Sequence, residues 1–186
     1  MVAAADKFPP IGSGRIMDTR IDFEGLVTGS DTSGLQVPQR AYTQVFRSGI
    51  VEAVVSSIAT GWDHNFLVLP KIQATIIDAV TRFTRDLGGV GIEPPFFVSM
   101  SMIEVAGKTL LRDFVFAGAF AEDFMANVLR GSGPMQFGEA IIDVLPQDNR
   151  DVARLIKRPI LDHLANAAGL VGAPYFDSDG NYTLVH

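Results

Sequence analysis

Apolar residues recur every three or four positions in two stretches of the chain, and this spacing predicts two helical regions. The first runs from Pro70 to Leu87, with proline suited to its first turn and Gly88-Gly89 placed to end it. The second starts near Asp148 and ends at Gly169, and Pro159 inside it predicts a kink or two abutting helices. The apolar positions are Ile72, Ile76, Val80, Phe83 and Leu87 in the first region, and Val152, Leu155, Ile156, Ile160 and Leu164 in the second.

Shorter stretches rich in β-branched and aromatic residues predict strands. The clearest is a hairpin over residues 41–58, with Ser48-Gly49 at its turn and Glu52 on its exposed face. Turns are predicted at Ala106-Gly107-Lys108 and at Asp179-Gly180. The other predicted elements are strands at Arg20–Val27, Phe96–Met102, Leu110–Ala119, Ile141–Leu145 and Tyr182–Val185, and a short helix at Glu122–Leu129.

Strands and helices do not alternate regularly along the chain, which favours an α+β fold over a doubly wound parallel sheet. We therefore predict a mainly antiparallel sheet with two or three packing helices. The 186 residues contain no internal repeat and no long linker. This length is typical of one domain, so we predict a single domain over 1–186 with a loose N-terminal lead-in over 1–14.

Composition and charge narrow the classes of function. Hydrophobic residues make up 47% of the chain, which favours a packed core, and charged residues make up 19%. This apolar, charge-poor composition also favours an exposed apolar patch that binds a partner or a second copy. The net charge of −6 counts against duplex nucleic acid as the main ligand, because duplex binders cluster Lys and Arg. The chain has no cysteine, which excludes disulfides, thiolate catalysis and cysteine-based metal sites. With no signal peptide and no membrane-length apolar run, we expect a soluble, cytoplasmic protein without membrane contact.

Three short motifs suggest ligand chemistry, and each lacks a necessary part. Ala106–Thr109 matches only the end of a phosphate-binding loop, because Met102 stands where that motif requires glycine. Gly88–Gly91 follows a predicted helix, whereas a dinucleotide-binding turn follows a strand. Asp177–Asn181 resembles a calcium loop, but Tyr175 occupies a ligand position. We therefore predict no metal, no cofactor and no catalytic residue.

Two groups of residues are candidates for binding. Arg150, Arg154, Lys157 and Arg158 share one face of the second helical region, where they suit either contact with phosphate or an acidic partner, or simple exposure to solvent. Trp62 and His64 lie together in Trp62-Asp63-His64-Asn65-Phe66. Aromatic and polar groups in such a segment form either a binding rim or an anchor that fixes a loop to the core.

Several segments, taken in order, resemble a known family. They are Gln44–Glu52, Gly91–Val98, Arg158–Gly169 and Tyr175–Gly180. The set resembles the region after the DNA-binding module in bacterial Schlafen AlbA_2-type proteins, which are multi-domain, ATP-binding or transcription-related proteins mostly of unknown function. The resemblance spans roughly residues 40–180 and implies an accessory domain that assists assembly or sensing. The AlbA_2 module itself has no counterpart here, so the resemblance transfers no catalytic residue.

The sequence as a whole predicts a non-catalytic accessory or interaction domain of a bacterial protein, which binds a protein partner or self-associates as an oligomer. One alternative is nucleic-acid or nucleotide binding through the basic helix face or Lys108. A second alternative is a small-molecule enzyme whose site gathers distant residues around His64 or His163.

Overall fold

The structure is a computed structural model, and it describes residues 8–11, 18–31, 40–55, 59–60, 63–112, 125–129 and 133–183. Helices and strands follow one another there without regular alternation. In chain order they are β1 (Asp18–Ile21), β2 (Gly25–Asp31), β3 (Arg40–Phe46), β4 (Val51–Val55), β5 (Ala59–Thr60), β6 (Asp63–Val68), α1 (Leu69–Gly89), β7 (Phe96–Val98), β8 (Ser101–Met102), β9 (Thr109–Leu111), β10 (Met125–Val128), β11 (Met135–Gln136), β12 (Ala140–Ile142), α2 (Asn149–Ile156), a π-helical segment (Lys157–Leu161) and α3 (Asp162–Ala167).

The first four strands form an antiparallel sheet in the order β1-β2-β3-β4. The predicted hairpin is confirmed as β3 and β4, and Gly49 in its turn has a φ of 88°, which glycine adopts readily. The single strand predicted over Arg20–Val27 is wrong, because a turn divides that stretch between β1 and β2. Asp22 makes this turn by accepting hydrogen bonds from the N–H groups of Glu24 and Gly25 at 3.0 and 2.9 Å.

The remaining strands form smaller sheets, one in the order β10-β9-β6-β5 and two of two strands each, β11-β8 and β12-β7. Among the described strands only β6 and β9 pair in parallel, so the prediction of an α+β fold with a mainly antiparallel sheet and a few helices is confirmed. The helix predicted over Glu122–Leu129 is wrong where the structure describes it, because Met125–Val128 pairs with β9 as a strand. Pairing with a neighbouring strand overrides the weak helical pattern there.

Other strand predictions are corrected in their bounds. Phe96–Met102 is two short strands, β7 and β8, and the strand predicted at Ile141–Leu145 is β12, which ends at Ile142. Tyr182 forms only an isolated bridge with Phe176, while 184–186 lie outside the described residues. The strand predicted from Leu110 is found as β9, and 113–120 also lie outside.

Both predicted helical regions are confirmed. α1 ends in a glycine-terminated cap, where the N–H groups of Gly91 and Ile92 donate to the carbonyls of Gly88 and Leu87 at 3.0 Å each. Pro159 interrupts the second region, since proline has no N–H to donate, and the backbone widens there into the π-helical segment. No helix in the described ranges is long and apolar enough to cross a membrane.

Two compact units make up the chain, Met1–Ser57 with Arg82–Glu93 and Ile58–Thr81 with Pro94–His186. The core of the second unit combines residues of β6, α1, β9, α2, the π-helical segment and α3. Its buried members include Leu67, Leu69, Ile72, Ile77, Leu110, Val152, Ile156, Ile160, Leu161 and Leu164. That 1–186 forms one domain stays a prediction.

In the first unit, the stretch 8–11 of the predicted loose lead-in is anchored. Phe8 is buried, and its ring stacks on Phe83 with centroids 6.5 Å apart. The Thr28 hydroxyl donates to the Phe8 carbonyl, and Thr43 Oγ1 donates to the Pro9 carbonyl at 3.1 Å. The two buried threonines thus satisfy backbone carbonyls that strand pairing leaves without partners.

Candidate interaction surface

Two pairs of short strands in the second unit form one surface, called here the ribbon (96–102 and 135–142). Ile141 lies opposite Phe97 in one antiparallel ladder, and Met135 lies opposite Met102 in the other. Between the ladders, the N–H of Phe137 donates to the carbonyl of Met100 at 3.1 Å. The ribbon therefore runs as two short antiparallel ladders joined by a hydrogen bond.

The two faces of the ribbon differ in burial because successive side chains of a strand point to opposite faces. Phe96, Ala140 and Ile142 are buried on the inner face. On the outer face, Phe97 is 72% exposed and Ile141 is 51% exposed. Opposed residues of an antiparallel pair lie close enough to touch, so these two side chains form one exposed apolar pair.

Acidic residues flank this apolar pair. Glu139 and Asp143 stand two residues before and after Ile141, the spacing that places residues on one side of an extended strand, and both are exposed. Glu104 is exposed just beyond β8. The segments 94–104 and 133–147 contain these three acids and no Lys or Arg. The ribbon thus carries an exposed apolar pair in one ladder and three exposed acids, two beside the pair and one beyond the other ladder, which are called here the acidic rim.

Three of the four predicted basic residues lie on the solvent side of α2 and the turn after it. Arg150, Arg154 and Arg158 are exposed, and Arg154 Nη2 lies 3.2 Å from Asp151 Oδ1. Lys157 differs, because its Nζ lies 3.0 and 3.2 Å from the two carboxylate oxygens of Asp162. The structure therefore leaves three arginines exposed at successive intervals of four residues, called here the arginine face, and places Lys157 in an internal contact.

This internal contact, called here the latch, joins the π-helical segment to the chain after α3. Asp162 Oδ1 also accepts a hydrogen bond from the N–H of Ala173 at 2.8 Å, and Lys157 Nζ lies 5.1 Å from the centre of the Phe176 ring. That ring packs against Tyr182 with centroids 5.3 Å apart. Local sequence does not indicate this role of Asp162, because its partner Ala173 is eleven residues away along the chain.

The remaining candidates are the residues Trp62, His64 and His163. Trp62 lies outside the described residues, and His64 lies in β6. His163 is exposed, and its Nδ1 accepts a hydrogen bond from the N–H of Gly138 at 3.3 Å, so it buttresses the ribbon. The enzyme alternative therefore receives no support from His163.

The backbone amides of the glycine motifs are already engaged. Gly107 N–H donates to the Leu129 carbonyl at 2.9 Å, and Lys108 N–H donates to the Val105 carbonyl at 3.1 Å, so neither is presented to a phosphate. Asp177 accepts hydrogen bonds from Asn181 and from the Asp179 N–H, and these lower its pKa. In the part of the chain that the structure describes, no group of three or more His, Asp or Glu side chains is placed to hold a metal ion.

A shallow open depression of ≈ 470 Å³ lies at the tips of two turns in the first unit. Its lining is Phe23, Glu24, Phe46, Arg47 and Ser48. Arg47 Nε donates to the Phe23 carbonyl at 3.1 Å, so the guanidinium serves to tie the two turns together. Glu24 is engaged as well, since its carboxylate accepts a hydrogen bond from Gln44 Nε2 at 3.3 Å, so both charged groups of the lining already have structural partners.

Burial raises the pKa of Tyr182 from 10.0 to about 12, and its hydroxyl has no hydrogen-bond partner among the described residues. A raised pKa in the folded state gives stability that is complete below pH 10 and lost as the pH rises toward 12. We expect Tyr182→Phe to leave the free energy of unfolding at pH 7 unchanged or to raise it by up to about 1 kcal/mol, because a buried hydroxyl without a hydrogen-bond partner is unfavourable.

The measurement is urea unfolding of both proteins from pH 7 to 12. The wild type should lose stability relative to Tyr182→Phe above pH 10. Tyr42, whose pKa is raised by its hydrogen bond to Glu52, is present in both proteins, so its contribution cancels in the difference between them. Parallel curves for the two proteins up to pH 12 would contradict the prediction.

The ribbon outer face and the arginine face of α2 are two surfaces of the second unit whose composition suits a partner. No family model matches this chain, and no curated protein or solved structure matches it. The function is therefore inferred from the physical chemistry of these surfaces.

Proposed function

We propose that this chain is a non-catalytic interaction module that binds a protein segment across the outer face of the ribbon. The observation that carries the proposal is the opposed pair Phe97 and Ile141, which remains largely exposed in a ladder whose other face is buried. Burying a large apolar side chain contributes about 1.5–3 kcal/mol. Covering both side chains therefore supplies a useful part of the free energy of binding.

The acidic rim specifies the chemistry of the partner. Glu139 and Asp143 flank Ile141, Glu104 stands beyond the other ladder, and the ribbon segments contain no compensating base. A segment that carries Lys or Arg beside apolar residues matches this pattern, whereas an acidic segment meets like charges. We propose that the bound segment is basic at its edges and apolar at its centre.

The sequence resemblance supports an accessory role. In the bacterial Schlafen AlbA_2-type proteins the corresponding region follows the DNA-binding module. We propose that this chain has the same position in a protein of that type. An AlbA_2 module in the same reading frame of the full gene would support this origin, and a gene without one would oppose it.

The alternative of nucleic-acid binding through α2 has less support. Arg154 is paired with Asp151, Lys157 belongs to the latch, and Asp148 caps the same helix by accepting hydrogen bonds from the N–H groups of Arg150 and Asp151. Phosphate contact needs several unneutralised bases on one face. Arg150 and Arg158, the two arginines of this face that form no ion pair with a described residue, are too few for that requirement.

The proposal is tested with two synthetic octapeptides, one alternating Lys and Val and one alternating Glu and Val. Titration into protein with ¹³C-labelled Ile methyl groups should move the Ile141 signal with the Lys-Val peptide only, because the charge of the rim decides which peptide approaches. Phe97→Ser should weaken this binding by about tenfold, which is the loss of about 1.4 kcal/mol of apolar contact.

The matched control is Val171→Ser, which removes a fully exposed apolar side chain of the second unit outside the ribbon. It should leave peptide affinity unchanged. Equal binding of the two peptides, or equal affinity in Phe97→Ser and wild type, would overturn the proposed function.

A further inference from the structure

We infer that the segment bound by the ribbon is the outer face of α2 on a second copy of this chain, so that copies join head to tail. The inference rests on the proposed function of the ribbon and names its partner. It follows from the match between two surfaces of the same unit, one apolar and acidic and the other apolar and basic.

The outer face of α2 has the composition that the ribbon requires. Arg150 and Arg154 of α2 and Arg158 of the π-helical segment are exposed, and Leu155 of α2 is 44% exposed. The nearby carboxylates already have partners, because Asp148 accepts backbone N–H groups at the start of the helix and Asp151 pairs with Arg154. Arg150 and Arg158 form no ion pair with a described residue, so they are placed to meet the acidic rim of another copy.

Both surfaces are available on one chain at the same time. Val152, Ala153 and Ile156 on the inner face of α2 belong to the same core as Ala140 of β12. The outer faces of α2 and of the ribbon therefore both point away from that shared core. A single copy can offer its helix to one neighbour and its ribbon to another, which is the condition for a head-to-tail contact.

Pairing of two ribbons face to face is disfavoured by charge. A two-fold contact would bring Glu104, Glu139 and Asp143 of one copy toward the same three acids of the other. Like charges across an interface oppose association, while the ribbon and the arginine face of α2 attract. The charge pattern therefore selects the contact between unlike faces.

A mixing experiment separates these arrangements. The ribbon variant is Phe97→Ser with Ile141→Ser, and the helix variant is Arg150→Glu with Arg158→Glu. By sedimentation velocity over a range of concentrations, the wild type should exceed the mass of one chain, and each variant alone should remain a monomer. An equimolar mixture should form a species of two chains and no larger, because one intact ribbon meets one intact helix face.

The control for net charge is Arg20→Glu with Arg85→Glu, which changes the charge equally at two exposed positions that belong neither to the ribbon nor to α2, and it should associate like the wild type. Circular dichroism of every variant confirms that it is folded. Self-association of the helix variant at wild-type strength would show pairing of like faces and overturn the inference, as would a mixture of variants that stays monomeric.

The outcomes also separate this inference from the proposed function. The wild type could be monomeric at every concentration and still bind the Lys-Val peptide through Phe97. That result would overturn the inference that the partner is a second copy, and it would leave the proposed function standing. Failure of both peptide binding and self-association overturns both.

Discussion

Gly25→Ala is expected to destabilise the four-stranded sheet of the first unit by about 3 kcal/mol or more. A Cβ at position 25 would lie 2.0 Å from the carbonyl oxygen of Val45, 2.9 Å from the carbonyl carbon of that residue and 3.1 Å from the Cα of Phe46. All three atoms belong to the backbone of β3, the strand paired with β2. The added methyl group cannot be accommodated by turning a side chain, so the strands must separate at this end.

Gly29→Ala is the matched control on the same strand. Its Cβ would lie 4.0 Å from both of its nearest neighbours, the Ala41 carbonyl oxygen and the Asp18 Cβ, which is ordinary contact. We expect it to be neutral or slightly stabilising, because alanine lowers the entropy of the unfolded chain. Urea unfolding followed by far-UV circular dichroism measures both variants, and equal midpoints for the two would contradict the close approach at Gly25.

The requirement for glycine at position 25 was not visible in the sequence. Residues 20–27 have a strand-like composition, and only the folded turn at Asp22 shows that the stretch divides and brings β2 against β3. The hairpin at Ser48-Gly49 and the helix α1 were predictable, because turn chemistry and apolar periodicity are local signals. Where a strand depends on a distant partner, as at Met125–Val128, local pattern led to the wrong element.

The candidate site also has one part that local sequence predicts and one part that depends on distant pairing. The arginine face of α2 was predictable from spacing along one helix, and three of its four members are exposed as expected. The ribbon was not predictable, because the exposure of Phe97 depends on the pairing of β7 with β12, which lies more than forty residues further along the chain. Composition indicated an apolar surface patch somewhere, and only the register of two distant strands places it.

The latch provides the second large expected effect. Asp162→Ala should lower the free energy of unfolding by about 2–3 kcal/mol, because it leaves Lys157 without its counter-ion and the N–H of Ala173 without an acceptor. The side chains of Lys157 and Asp162 are 29% and 21% exposed, so water compensates only part of the loss.

The ion pair between Arg154 and Asp151 is the internal comparison, because its side chains are 62% and 36% exposed. Arg154→Ala should cost no more than about 0.5 kcal/mol, since solvent screens exposed pairs. Lys157→Met should fall between the two: it removes the ammonium that pairs with Asp162 and lies over the Phe176 ring, but Asp162 still accepts the Ala173 N–H. Urea midpoints should therefore decrease from Arg154→Ala through Lys157→Met to Asp162→Ala. If Lys157→Met costs as much as Asp162→Ala, the charge pair alone carries the latch and the bond to Ala173 contributes nothing measurable.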